Sequence, residues 1–396
     1  MAITACPVPQ QRERTAAVWP ERLSPDELSL LDTESPFLVT DLGSVRSSYH
    51  RLHNAFQGRV AVRYAVKCNP DSRVLGVLAG EGSGFEIGSA PELDALGQLG
   101  IDPATVVYSN PVKPPNHVRR TFEAGVRQFA VDCLGEVDKI AREAPGSSVF
   151  ARVRVDDTRC LFPLSAKFGL PAGETAALML AARQRGLVPS GLTFHVGSQC
   201  TDPRAWARAI DSLAPVVHEL APHGILLDML DIGGGFPAHY SLPPPELPEI
   251  ARHTLAALDR LPYLPAKVLC EPGRAIVAES AVLATTVIGR ERRLGREWVY
   301  LDVGAYNGLM EAAQTRGRWR FPIRTGRGGR AGVPLVACTV TGPTCDASDT
   351  LLNDVDLPDD LVIGDRLYIG SAGAYSLCYK SSFNGFDPPE RLYVGE

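Results

Sequence analysis

The stretch Val60–Pro70, VAVRYAVKCNP, decides how this chain is read. Its apolar run from Val60 to Val66 is β-branched and aromatic, and short enough for a strand buried on both faces of a parallel sheet. Turn residues follow, so Lys67 falls at the C-terminal end of that strand. A lysine in such a place is ordinarily a solvated loop residue. If it is partly desolvated, its pKa falls and a neutral amine becomes able to form a Schiff base with a carbonyl. The rest of the chain favours the second reading.

Outward from this strand the same unit repeats. Asp71 and Ser72 can cap a helix through Leu78, Gly84–Ile87 is a second short strand, and Ser89-Ala90-Pro91-Glu92 is a capping-box sequence that opens another helix. Further strands are expected at 105–109, 127–132, 148–155, 191–196, 226–232 and 267–271. Helices are expected at 114–124, 134–143, 174–186, 203–221 and 246–261. Eight strands alternating with helices make a (β/α)8 TIM barrel, with an open doubly wound sheet as the competitor. Lys67, Glu86, His195, Gly233-Gly234-Gly235 and Glu271 all lie at or near C-terminal strand ends, which share one mouth in a barrel. Beyond about residue 281, β-rich runs replace the helical pattern, at 281–288, 297–303, 333–340 and 361–369. Phe37–Thr40 is expected to pair with that second sheet. The expected organisation is therefore α/β: a flexible tail over 1–25, a barrel over 43–280, and a discontinuous β domain made of 26–42 and 281–396.

A chain of 396 residues with net charge −5, 45% hydrophobic and 21% charged, is an ordinary globular protein and neither a disordered chain nor a nucleic-acid binder. The six arginines between 316 and 332 read as a solvated connection, because stacking residues are sparse there. Nine cysteines without a CxxC pair, and no secretory leader, point to free thiols in a reducing cytoplasm. No apolar run approaches the roughly 20 residues of a membrane span. His50 and His53 lack the neighbouring ligands of a zinc site, so no metal is assigned.

Asp231-Ile232-Gly233-Gly234-Gly235-Phe236-Pro237 follows the seventh strand, and three glycines let backbone N–H groups approach an anion. Barrels often hold phosphate after strands seven and eight, although a GGG run alone is usually a flexible turn. Glu271-Pro272-Gly273-Arg274 follows the eighth strand and adds a bidentate phosphate donor. A carboxylate in an enclosed site keeps a pyridine nitrogen protonated. A Schiff-base lysine, a phosphate cup and a pyridinium partner are the parts that pyridoxal 5′-phosphate requires.

On these residues the chain resembles the fold type III, alanine racemase-like pyridoxal-phosphate decarboxylases of ornithine, diaminopimelate and arginine, and among them the bacterial ornithine decarboxylases. The resemblance spans roughly residues 36–390 and rests on YAVKCNP at 64–70, FHVGSQCTDP at 194–203, DIGGGFP at 231–237, CEPGR at 270–274, GPTCDASD at 342–349 and GAYSLCYKSSFNGF at 373–386. It implies that Lys67 carries the cofactor, that His195 stacks on its ring and that Glu271 holds the pyridinium proton. By the same resemblance Ser198, Gly233, Gly234, Gly235, Gly273, Arg274 and Tyr375 surround the phosphate, with Glu86 and Arg152 beside the cofactor.

Cys345 and Asp346 match a loop that enters the partner subunit's site, which implies a homodimer with composite sites. In that reading Cys345 protonates Cα after loss of the α-carboxylate, and Asp346 with Tyr306 binds the substrate's distal end. Diaminopimelate enzymes carry Glu where this chain has Asp346, which favours a basic substrate, ornithine giving putrescine before lysine. The eukaryotic enzymes place an aspartate where Val303 stands here. Asp302 is one residue away and, on a strand, points to the other face. A racemase would present a tyrosine in place of the GPTCD loop. A non-catalytic relative would lack cofactor residues that this chain keeps.

Overall fold

The computed structural model describes residues 19–240, 242–315, 320–326 and 332–396. They belong to two compact units, one made of Ser48–Pro237 and Pro244–Gly273, the other of residues up to Ser47, Ala238–Pro243 and Arg274–Glu396.

The first unit is a closed parallel barrel. Its strands are Ala61–Ala65, Gly84–Ile87, Val107–Tyr108, Gln128–Val131, Ser148–Arg152, Val188–Thr193, Met229–Asp231 and Lys267–Cys270. The eighth returns to the first through the pairs Leu269↔Ala61 and Cys270↔Val62. Seven of the strands fall within the runs expected for them, because a parallel strand covered on both faces has little room for polar side chains. The sixth is Val188–Thr193 and not 191–196, starting on the half-exposed Val188-Pro189-Ser190 and ending before Phe194. Val107, Ala130, Phe150, Met229 and Leu269 pack together as a buried cluster contributed by five of the strands.

The intervening helices differ from expectation in two informative places. The single helix expected over 203–221 is two, Ala205–Asp211 and Ala214–Leu220. Pro215 stands in the first turn of the second, where its missing N–H costs nothing, but within one continuous helix it would clash with the preceding turn. The capping box at 89–92 also does not close. Ser89 is the N-cap but its side chain accepts no hydrogen bond, and Glu92 reaches one residue further back, accepting from the Gly88 N–H at 2.6 Å.

The second unit is a mixed eight-stranded sheet. Its long central strand, Ala281–Arg293, is antiparallel to Phe37–Asp41, Arg296–Leu301 and Arg366–Ile369. Phe37–Thr40 thus pairs with this sheet as expected. Leu335–Thr341 runs parallel to Arg296–Leu301 and pairs antiparallel with Thr350–Pro358. Thr350–Pro358 and Glu390–Val394 are strands with no counterpart in the sequence reading, and the run at 361–369 is a strand only from Arg366. Ile323–Thr325 also forms a strand within the arginine-rich stretch read as a connection, of which 316–319 and 327–331 lie outside the described residues.

The tail expected through residue 25 is corrected at its inner end. Leu23 and Leu28 are buried with Phe37, Val39 and Val282, and Trp19 packs against the same cluster. Residues 1–18 lie outside the described part.

Candidate active site

The barrel brings its chemistry to the C-terminal ends of its strands. Lys67 stands two residues beyond the first strand, Glu86 lies within the second, Ser109 follows the third, and Arg152 ends the fifth. His195 lies two residues beyond the sixth, Asp231 ends the seventh, and Glu271 follows the eighth. These ends open on one side of a barrel by construction.

Lys67 sits in a single turn, Val66–Cys68, held by its surroundings: the Ala65 N–H donates to the Pro272 carbonyl at 3.1 Å and the Tyr64 hydroxyl to the Asn69 carbonyl at 3.2 Å. A Cβ at Gly273 would come within 2.6 Å of Cys68 Cβ, so Gly273 is required by close packing against this turn. Lys67 Nζ donates to Glu86 Oε2 at 2.7 Å. The expected lowering of the lysine pKa is therefore reversed. The Lys67 side chain keeps about half its surface in solvent, and the neighbouring Glu86 and Glu271 carboxylates outweigh what desolvation it has and push the pKa up. Glu86 itself is buried, which pushes it up to about 7 against the pull of Lys67.

His195 is held neutral: burial, and then the positive charges of Arg152 and Lys67, push it well below the ordinary histidine range. Its Nδ1 accepts from the Gly197 N–H at 3.0 Å, which places the ring proton on Nε2. Arg152 has its guanidinium 5.1 Å from the Phe168 ring centre, among the charges of Glu271, Asp132, Glu86 and Asp231. Ser198 begins the short strand Ser198–Cys200, paired with Cys160–Phe162.

The glycine run is a packed feature and not a flexible turn. Gly233 and Gly235 have φ of 64° and 94°. A Cβ at Gly233 would lie 2.0 Å from the Phe194 carbonyl oxygen, at Gly234 2.6 Å from that of Glu271, and at Gly235 2.3 Å from that of Gly197. Among the described residues, neither the Gly234 nor the Gly235 N–H donates to a protein group. Gly234 is buried and Gly235 partly so, and successive unpartnered N–H groups in a glycine turn suit an anion.

Glu271 and Asp231 are both buried, and their side chains hydrogen-bond each other. Glu271 Oε1 also accepts from the Ser109 hydroxyl, while Asp231 accepts from the Thr193 hydroxyl at 3.1 Å and the Gly233 N–H at 2.9 Å. Asp231 and Ser109 were not singled out in the sequence. Their position at strand ends beside chosen residues is the signal that could have found them.

In the second unit, Arg274 is buried and its fork is taken: it donates to both Glu311 oxygens, at 2.6 and 2.8 Å, and to the Tyr240 hydroxyl at 3.0 Å. Its guanidinium lies 4.8 Å from the ring centre of Tyr375, a residue with φ of 54°. The expectation of an arginine offered whole to a phosphate is thus changed by Glu311, a residue the sequence reading passed over. Cys345 is exposed, its Sγ 3.4 Å from Asn384 Oδ1. Asp346 accepts from the Tyr306 hydroxyl at 2.5 Å and from the Ser348 N–H at 2.8 Å, bonds that hold its carboxyl below the usual range. Asp349 fastens the loop from beneath, accepting from the Ala305 N–H at 2.7 Å and the Thr344 hydroxyl at 2.8 Å. Asp302 is committed to the sheet, accepting from the Thr285 hydroxyl at 2.6 Å and the Thr286 N–H at 3.0 Å. Val303 is buried.

Within the barrel unit, the donor set fits pyridoxal phosphate on its own chemistry: an amine beside a proton acceptor, a neutral planar imidazole, a buried carboxyl, and two unpartnered amides in a glycine turn.

Comparison with known proteins gives a consistent picture. Residues 42–278 match the family model described as pyridoxal-dependent decarboxylase, pyridoxal binding domain. The chain is 34% identical over 372 residues to a lysine/ornithine decarboxylase of Selenomonas ruminantium, covering 92% of this chain and 91% of that one. It is 34% identical over 371 residues to the ornithine decarboxylase of Schizosaccharomyces pombe, covering 90% of this chain and 83% of that one. The crystal structure of SrLDC in complex with PLP and cadaverine superposes with a TM-score of 0.85 at 34% identity, covering 94% of each chain.

Proposed function

Because the chain belongs to the pyridoxal-dependent decarboxylases, we propose that it removes the α-carboxylate of a basic L-amino acid, ornithine before lysine, with Lys67 as the residue that carries pyridoxal phosphate. The observation that carries this reading is the pair Lys67–Glu86 at 2.7 Å, an amine at a strand end with a buried proton acceptor against it. The bound cofactor supplies the electron sink for the bond that breaks.

The residues supply the rest. Lys67 would hold the cofactor's aldehyde end, and Glu86, hydrogen-bonded to Nζ at 2.7 Å, would orient that nitrogen and stand where a proton it gives up can be taken. His195 presents an uncharged face to the ring, and Arg152 balances the carboxylates around it. Glu271 would face the ring nitrogen and hold its proton. Ser198, Gly233, Gly234 and Gly235 bind the phosphate through N–H and O–H groups, the close-packed Gly273 shapes the turn beside them, and Arg274 and Tyr375 are assigned to the same phosphate. Asp346, oriented by Tyr306, holds the distal ammonium, since Asp302 is committed elsewhere. Cys345 Sγ delivers a proton to Cα.

The donor Cys345 is assigned to a second copy of the chain, giving a homodimer with composite sites. Exposed Tyr379, Phe383 and Phe386, in the segment that holds Asn384, support this assignment as an apolar surface for a partner to cover. The division into a cofactor-binding barrel over 43–280 and a β domain of 26–42 and 281–396, and a cytoplasmic location, belong to the same proposal. No helix of the described residues is long and apolar enough to cross a membrane.

Release of CO2 across ornithine, lysine, arginine and diaminopimelate tests the reading. Turnover of ornithine and lysine is expected, and ornithine is favoured by about 1–3 kcal/mol, the worth of one methylene in a fitted pocket. Preference for diaminopimelate would overturn it.

A further inference from the structure

The acid behind Glu271 has no role in the account so far. Asp231 and Glu271 end adjacent parallel strands, tied by the Ile232 N–H to the Leu269 carbonyl and the Glu271 N–H to the Gly233 carbonyl, both at 2.8 Å. Their side chains are 1% and 8% exposed as residues and bond to each other. Two carboxylates cannot do this without a proton between them. Among the described residues neither makes an ion pair: Lys67 is paired with Glu86, and Arg63, Arg152, Glu86 and the Cys270 thiol act on the pair only through space. The remaining contacts are neutral donors, Ser109 to Glu271 and Thr193 and the Gly233 N–H to Asp231. In the cofactor-free chain burial, and then the charge of Asp231, holds Glu271 well above the carboxylate range, while burial pushes Asp231 up to about 6. Burial thus raises both members, and the contact between them calls for one proton shared by the pair.

We propose that Asp231 is a positioning residue that takes over this proton when Glu271 faces the protonated ring nitrogen of the cofactor, so that the pair presents one negative charge, aimed at that nitrogen. From a start with the shared proton on Glu271, its O–H bond breaks, one forms on Asp231, and the electron pair left behind is the Glu271 carboxylate. No proton is exchanged with water. Two buried anions against one cation would repel each other, whereas a protonated Asp231 donates a hydrogen bond to the charge it leaves on Glu271. The inference rests on the reading of Glu271 given above.

Infrared spectra and pyridoxal phosphate affinity are to be measured at neutral pH for the full chain and for Asp231→Asn, Asp231→Ala and Glu271→Gln, each cofactor-free and reconstituted. Compared in a Glu86→Gln background, which removes the band of the Glu86 carboxyl, the chain is expected to show the C=O stretch of a protonated carboxyl in both states, shifted but not lost on reconstitution, and absent once Asp231→Asn is added. An asparagine donates permanently to Glu271 from its amide nitrogen and still accepts from the Gly233 N–H, with the Thr193 hydroxyl turned to accept. Its cofactor affinity should stay within about threefold of wild type, and that of Asp231→Ala should fall about 10- to 150-fold. Loss of the band on reconstitution would overturn the proposal, as would an Asp231→Asn protein with affinity reduced tenfold or more. If the alanine variant does not fold, the band and the asparagine affinity decide between them. Unchanged affinity and cofactor spectrum in Glu271→Gln would instead sink the reading of Glu271 itself.

Discussion

The barrel mouth and the Gly342–Asp349 loop of the other unit solve opposite problems with acidic side chains. At the mouth, Glu86, Asp231 and Glu271 are buried, and burial raises all three above the ordinary carboxylate range. In the loop, Asp346 is only half-buried, its charge is favoured by hydrogen bonds from Tyr306 and Ser348, and Cys345 beside it is exposed. Acids of the first kind hold and move protons. An acid of the second kind stays charged and waits for a cation. On the proposed reading, the first set would handle protons and the second would read the substrate once a partner surface covers it.

Subunit mixing probes the sharpest consequence of that division. Lys67→Ala should be inactive and Cys345→Ala should keep only a small residual rate. If each site draws on two copies, random exchange makes about half the dimers mixed, each with one intact site, and roughly a quarter of wild-type activity returns. Confirmed exchange with no recovery beyond the residual Cys345→Ala rate would place both residues in one copy. A smaller effect is expected from Asp346→Asn, which should raise the KM for ornithine about 10- to 150-fold by removing a charged hydrogen-bond partner, with cofactor affinity unchanged. Unaltered kinetics would remove Asp346 from the substrate.

The mouth has its own signature in pH. Glu86 is raised from 4.5 to about 7, so the folded cofactor-free protein holds a proton that the unfolded chain has already lost between those values. Stability from this group is therefore highest below the unfolded value and falls as pH rises through the window, by on the order of 3 kcal/mol for an interval of that width. Denaturant unfolding of Glu86→Gln should show a correspondingly flatter fall between the two pH values. The same slope in both proteins would mean that Glu86 is not the group.

The two regions were also unequally legible in the sequence. Most barrel strands announce themselves because burial on both faces leaves continuous apolar runs, and Lys67 and Glu271 follow such runs, whereas Pro189, Ser190 and Gly191 hid the start of the strand before His195. Thr350–Pro358 was missed because Asn353-Asp354 interrupts its apolar residues and Asp354 and Asp356 face outward, a pattern that looks like a loop. Pro215 marked the helix break at 212–213, but a periodic pattern on both sides concealed it. Asp231 was quoted only as the start of a glycine motif, and Glu311 has no motif at all. What gives each its meaning is a partner distant in sequence, Glu271 for the one and Arg274 for the other, and pairing of that kind is visible only once the chain is folded.

The most direct test of the account is where the cofactor is attached. Borohydride reduction of the reconstituted protein followed by peptide mapping should place the reduced pyridoxyl group on Lys67, the lysine that meets Glu86 at the barrel mouth. Its recovery on Lys113, which is buried against Glu136, or on Lys167 would contradict the central claim.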